Sequence, residues 1–207
     1  MKLIILILFS SPLFAQSIMC QAPITISGIN CCTERISQKL CQEIINTYLT
    51  DEDLDRIKRV QKDIEAKRTI TRHYYPNCFW NATATIIPNF FEVDRFVSSY
   101  EMEDILEEHF YRIQESELKA YDLIEFYEYA KVKHFEDVGK YVWQPIEAPA
   151  HTAVFLENGI IFQKENFKNS TFNIDRLDTT YKTLHKLYNK SKHKRTSELE
   201  LRYHRKN

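Results

Sequence analysis

Cys78 is set apart from the other four cysteines of this 207-residue chain. Cys20, Cys31, Cys32 and Cys41 lie together near the N-terminus, whereas Cys78 stands alone in the stretch Tyr74-Tyr75-Pro76-Asn77-Cys78-Phe79-Trp80-Asn81-Ala82. Asn77 is a favoured helix N-cap, and residues 79–87 continue as a helix that Pro88 stops. A sulfur at a helix start sits beside unsatisfied N–H groups and the positive end of the dipole. Both favour the thiolate, which is the nucleophilic form. The competing reading is a core cysteine, because free cysteine is among the most buried residue types.

A thiolate nucleophile needs a base within hydrogen-bond reach. His151 opens the strand-like run 151–156 directly after Pro149-Ala150, while the other histidines occupy charged or terminal segments. His73, near Cys78 in sequence, is its rival. A third group must accept the other ring N–H. Residues 151–156 and 160–164 form a predicted hairpin, with Asn158-Gly159 as its turn signal. A two-residue turn pairs His151 with Asn166 and puts Gln163 on the opposite face. A three-residue loop, Glu157-Asn158-Gly159 with Gly159 left-handed, puts Gln163 beside Ala153 on the face of His151. The residues alone leave Gln163 and Asn166 in competition.

The elements that must position these groups follow from periodicity and caps. Thr33 caps an expected helix over 34–48, with Ile36, Leu40, Ile44 and Ile45 at helical spacing. Thr50 with Asp53 forms a capping-box pattern ahead of a helix carrying Leu54, Ile57, Val60 and Ile64. These two helices read as an accessory hairpin ahead of the main fold. A charged helix is expected over 101–113, strands over 122–126, 151–156, 160–164 and 172–174, and a last helix from Asp178. The order is that of an α+β protein with one main domain.

Compartment is read from both ends of the N-terminal region. Met1-Lys2, an apolar run 3–9 and Ala15 before Gln16 describe a signal peptide over 1–15, too short and too interrupted by Pro12 for a membrane span. An exported chain meets an oxidising environment, where cysteines pair. Four clustered cysteines form two disulfides in three possible connectivities; adjacent Cys31 and Cys32 each pair with Cys20 or Cys41. Cys78 remains unpaired. The cluster has neither a C-x-x-C pair nor a neighbouring histidine, so no metal and no cofactor is expected. The formal net charge of −1 gives no pull toward nucleic acid. The run 191–207 reads as a basic, solvated C-terminal tail.

The order of these motifs resembles the papain-like NlpC-type cell-wall cysteine hydrolases: a helix-initiating cysteine, then Tyr121-Asp122-Leu123 at the place of a "GDL" strand, then "HTAVFLENGIIFQK" over 151–164. The resemblance covers residues 77–167. Asn77 stands where the family carries aspartate, Phe79-Trp80 where it carries Ser-Gly, and Tyr121 at the glycine of "GDL". The resemblance implies an α+β, papain-like NlpC-type core over 71–190, in which the cysteine-bearing helix packs on a small antiparallel sheet. A disulfide-held loop and helical extension over 16–70 precede it, and residues 127–150 form an inserted lid or rim. It favours Gln163 as the third residue. It further implies a secreted or periplasmic peptidase or amidase in which Cys78 attacks, His151 protonates the leaving amine and Gln163 holds its ring. Asn77, Trp80 and Tyr75 would flank a peptide or peptidoglycan substrate, with no membrane insertion after signal cleavage. Two other readings stand beside it: a non-catalytic binding module on the same fold, and a transglutaminase-like or thiol acyltransferase enzyme.

Overall fold

The structure is a computed structural model that describes residues 23–32, 34–66, 76–135, 141–164, 171–189 and 194–207. The expected signal peptide, Cys20, Thr33, His73, Tyr75 and Asn166 lie outside the described residues. Among the described residues the chain is α+β, with five α-helices and one mixed eight-stranded sheet. No helix among them is long and apolar enough to cross a membrane.

The strands are β1 (Pro23–Ile26), β2 (Ile29–Cys32), β3 (Phe110–Ile113), β4 (Leu123–Phe135), β5 (Tyr141–Glu157), β6 (Ile160–Lys164), β7 (Phe172–Arg176) and β8 (Lys194–Lys206). Their order across the sheet is β1-β2-β7-β6-β5-β4-β8-β3. Only the β2–β7 pair is parallel. The helices are α1 (Gln38–Tyr48), α2 (Asp51–Glu65), α3 (Cys78–Ile86), α4 (Ser99–His109) and α5 (Leu177–Tyr188).

Strand alternation sorts the core into two layers. Val154, Phe162, Phe172 and Leu123 face the side covered by α1 to α4 and pack with Ile44, Ile57, Trp80 and Met102. Ala153, Ile161, Ile124 and Phe126 face the other side and pack with Leu177 and Leu184 of α5.

Four expectations change. The N-terminal helices are not accessory: their apolar stripes join the same core as α3, and β2 extends the main sheet through β7. The loop ahead of them is the β1–β2 hairpin, and α1 starts at Gln38 because Ser37 accepts the Leu40 N–H. The segment 127–150 is no lid. Its sequence prolongs the β4–β5 pairing out to Phe135 and Tyr141, and β8 runs alongside β4 as far as Val132. The basic tail is strand β8, seated between β4 and β3. There Leu199, Leu201 and Tyr203 alternate into the α5 layer while Glu200, Arg202 and His204 take the opposite face. The capping box of α2 forms as expected, with Thr50 and Asp53 exchanging both bonds.

Helix α3 is buried along its whole length, so both of its ends need partners. At the C-terminal end, Arg56 donates to the Ala84 carbonyl at 3.0 Å and to Thr85 Oγ1 at 2.7 Å, while Asp53 neutralises it at 2.8 Å. A cation here also complements the negative end of the helix dipole. Removing one partner of a buried pair strands the other charge. We therefore expect Arg56→Ala to lower the unfolding free energy by about 3 kcal/mol, measured by urea denaturation; a loss below about 1 kcal/mol, the range of exposed pairs, would contradict this role.

Candidate active site

The N-terminal end of α3 is held by Asn77. Its Oδ1 accepts from the Trp80 and Val97 N–H groups at 3.3 Å each, and its Nδ2 donates to the Val97 carbonyl at 2.7 Å. This cap fixes Cys78 at the first helical position. Cys78 is the one free cysteine among the described residues, and Cys31 is bonded to Cys41, in keeping with the expected pairing; Cys32 is also disulfide-bonded.

His151 reaches the thiol from β5. Burial pushes the Cys78 thiol up, but the charge of His151, its hydrogen bond to the sulfur, and the N–H groups of Thr152 and Phe79 outweigh burial. The net effect holds the thiol below its ordinary value. On the far side of the ring, His151 Nε2 meets Gln163 Oε1 at 2.6 Å. A carbonyl oxygen only accepts, so Nε2 carries the proton and Nδ1 is the atom left to exchange a proton with sulfur. Gln163 in turn donates through Nε2 to Thr180 Oγ1 of α5 at 3.2 Å, which turns its carbonyl toward the imidazole. The Phe126 ring closes the site edge-on, 5.4 Å from the His151 ring centre.

The hairpin turn explains why Gln163, rather than a residue of opposite parity, meets His151. The turn is the two-residue Asn158-Gly159 form, with φ of 48° and 73° and Glu157 paired to Ile160. A bulge at Leu156 then shifts the register, so that Phe155 pairs with Ile161 and Val154 with Phe162. The register beyond the bulge is the one expected from a three-residue loop, reached by a different turn. A second bulge, at Ala150, separates the Phe126–His151 pair from the Tyr127–Pro149 pair. Bulges re-aim neighbouring side chains, and this one immediately precedes the histidine.

Two contributors were not singled out from sequence, Thr180 and Tyr188. The Tyr188 hydroxyl donates to the Ala150 carbonyl at 3.2 Å, pinning the bulge. Burial, the nearby Cys78 and Glu128 together push its phenol up, so it stays protonated. Thr180, Leu184 and Tyr188 recur at i, i+4 and i+8, one face of a helix; the spacing was visible, the surface it meets was not.

The residues expected to flank a substrate behave differently from one another. Asn77 has its amide committed to capping. Trp80 lies in the core, 1% exposed, with the Arg56 guanidinium 5.5 Å from its ring centre. It borders a cavity of about 510 Å³ on the α2 side of the helix, away from the sulfur. Around the sulfur itself exposure is low, 7% for Cys78 and 2% for His151. Comparison of the chain with protein-family models, curated proteins and solved structures returns no match.

If Gln163 orients the imidazole, Gln163→Ala is expected to slow iodoacetamide alkylation of Cys78 about tenfold at about pH 6.5, below the free-thiol range, through loss of one charge-assisted hydrogen bond. The rate at about pH 10, where any thiol is ionised, should be unchanged. Equal rates at the lower pH would remove Gln163 from the site.

Proposed function

We propose that this protein is an exported cysteine hydrolase, a peptidase or amidase of papain-like type. The observation that carries the reading is the relay from Cys78 at a capped helix start through His151 to Gln163, with the thiol held below its ordinary value. Tyr121 supports the resemblance: at the place of the family's glycine it adopts φ 70°, a conformation that favours glycine. The Cys31–Cys41 disulfide accords with an oxidising compartment.

In this mechanism the Cys78 thiolate attacks the carbonyl carbon of an amide. The negative charge that develops on oxygen is met by the Cys78 N–H at the start of α3. That amide has no hydrogen bond among the described residues, whereas those of Trp80 and Asn81 are taken by Asn77. His151 passes its Nδ1 proton to the leaving amine as the C–N bond breaks, which leaves an acyl-thioester. Water then attacks the thioester with His151 taking its proton, releasing a carboxylate and restoring the thiol. Gln163 keeps its bond to Nε2 throughout. Peptidoglycan stem peptides are the substrate that the resemblance suggests. The low exposure of Cys78 and His151 favours a second reading, a non-catalytic module of the same fold.

Incubation with purified peptidoglycan separates the two. The hydrolase releases new amino termini, and Cys78→Ala lowers the rate at least about a thousandfold while far-ultraviolet circular dichroism is unchanged. Undiminished release by Cys78→Ala, or no release by a wild-type protein whose thiol is intact, would overturn the hydrolase reading.

A further inference from the structure

Two buried hydrogen-bond donors border the cavity of about 510 Å³ formed by α2, α3 and the segment 89–94. Trp80 and Arg56 are 1% and 7% exposed, whereas Glu52, Arg59, Asn89 and Glu92 on the same lining are exposed. The first two therefore form its floor and the others its rim. The indole Nε1–H of Trp80 and the Nε–H of Arg56 are buried and meet no acceptor among the described residues. The terminal nitrogens of Arg56 are already spent on Ala84, Thr85 and Asp53. A buried tryptophan N–H ordinarily finds a partner, and a donor left bare costs free energy. Both groups only donate, so what the floor lacks is an acceptor.

Charge selects the kind of acceptor. Asp53 neutralises Arg56, and both oxygens of Asp94 hold Arg59, at 2.7 and 3.1 Å. The lining also carries Glu52, Asp63 and Glu92. This surplus of carboxylates over guanidiniums repels a phosphate or carboxylate ligand, so the acceptor is uncharged. Carboxylates at the rim only accept. A ligand that reaches from floor to rim must accept at its inner end and donate at its outer end. A hydroxyl does both at one atom, and a sugar repeats it around a ring. The half-buried rings of Phe90 and Phe91 offer apolar contact for its C–H groups. The volume lies within the ~300–1,000 Å³ of small-molecule sites.

We infer that this cavity binds an uncharged sugar, whose inner hydroxyls accept from Trp80 Nε1 and Arg56 Nε and whose outer hydroxyls donate to the rim carboxylates. A free monosaccharide and one residue of a glycan chain share this chemistry. The site goes beyond the hydrolase reading and needs neither it nor the Cys78 thiol.

The chain holds two tryptophans, Trp80 and Trp143. Proton–nitrogen correlation spectra of the isotope-labelled full chain therefore resolve the indole N–H of each, assigned with Trp143→Phe. The probes are the methyl glycosides of glucose and N-acetylglucosamine, maltotriose, chitotriose and inorganic phosphate, each to about 50 mM, well above a millimolar Kd. A saturable downfield shift of the Trp80 signal with at least one sugar is expected, with the Trp143 signal and the phosphate titration unmoved. Tighter binding of a trisaccharide than of its methyl glycoside identifies a glycan chain; equal affinity identifies a free sugar. By calorimetry, Trp80→Phe and the exposed Glu92→Ala should each weaken binding about fivefold, the scale of one hydrogen bond. Cys78→Ala should leave it unchanged. No saturable shift with any of the sugars, an equal shift with phosphate, undiminished affinity in either cavity variant, or loss of binding in Cys78→Ala would overturn the proposal.

Discussion

The hydrogen-bonded contact between Cys78 and His151 is the constraint around which this fold is arranged. A thiol in a protein interior is ordinarily driven toward its neutral form, because burial penalises charge. Here burial acts in that direction and is outweighed by one imidazole and two backbone N–H groups. The balance is directional, so it depends on where the ring points. Gln163, itself turned by Thr180, fixes that direction from the opposite side.

Much of the architecture serves this one placement. Asn77 and Arg56 supply partners at the two ends of a fully buried helix, so α3 can carry its first residue into the core. The bulges at Leu156 and Ala150 bracket the His151 stretch of β5, one setting which β6 residue it meets and the other re-aiming the chain at its approach. Tyr188 locks the second bulge from α5. The imidazole is thus met by Cys78 of α3, Gln163 of β6 and Phe126 of β4, with α5 acting through Gln163 and Ala150. The site belongs to the core rather than to a flexible loop, which accords with its low exposure.

Local chemistry in the sequence carried further than long-range pairing. Asn77 as a cap, the Thr50–Asp53 capping box, the stop at Pro88 and the Asn158-Gly159 turn are each decided by residues within a few positions, and each forms. The side of the sheet on which Gln163 falls was readable from the resemblance, the residues alone leaving two registers in competition. The turn that produces it was not, since a bulge at an ordinary leucine has no strong sequence signature. Strand β8 was hidden by its charge: Glu200, Arg202, His204 and Arg205 obscure the alternation of Leu199, Leu201 and Tyr203, and its partner β4 lies far away in sequence. The β2–β7 pairing is invisible for the same reason, as nothing local in Ile29–Cys32 specifies a parallel neighbour at Phe172. Asn77 and Trp80 show the converse, where adjacency to Cys78 suggested contact with substrate and the helix turned both to structural work.

The central claim is that His151 holds the Cys78 thiol below its ordinary range, and the ultraviolet absorbance of the thiolate followed against pH reads this without any substrate. The wild-type protein should show the Cys78 transition below the ordinary cysteine range near ~8.5. His151→Ala should move it upward, past that range, as burial is then opposed only by backbone N–H groups. A wild-type transition at or above the ordinary range, or one that His151→Ala leaves in place, would contradict the account.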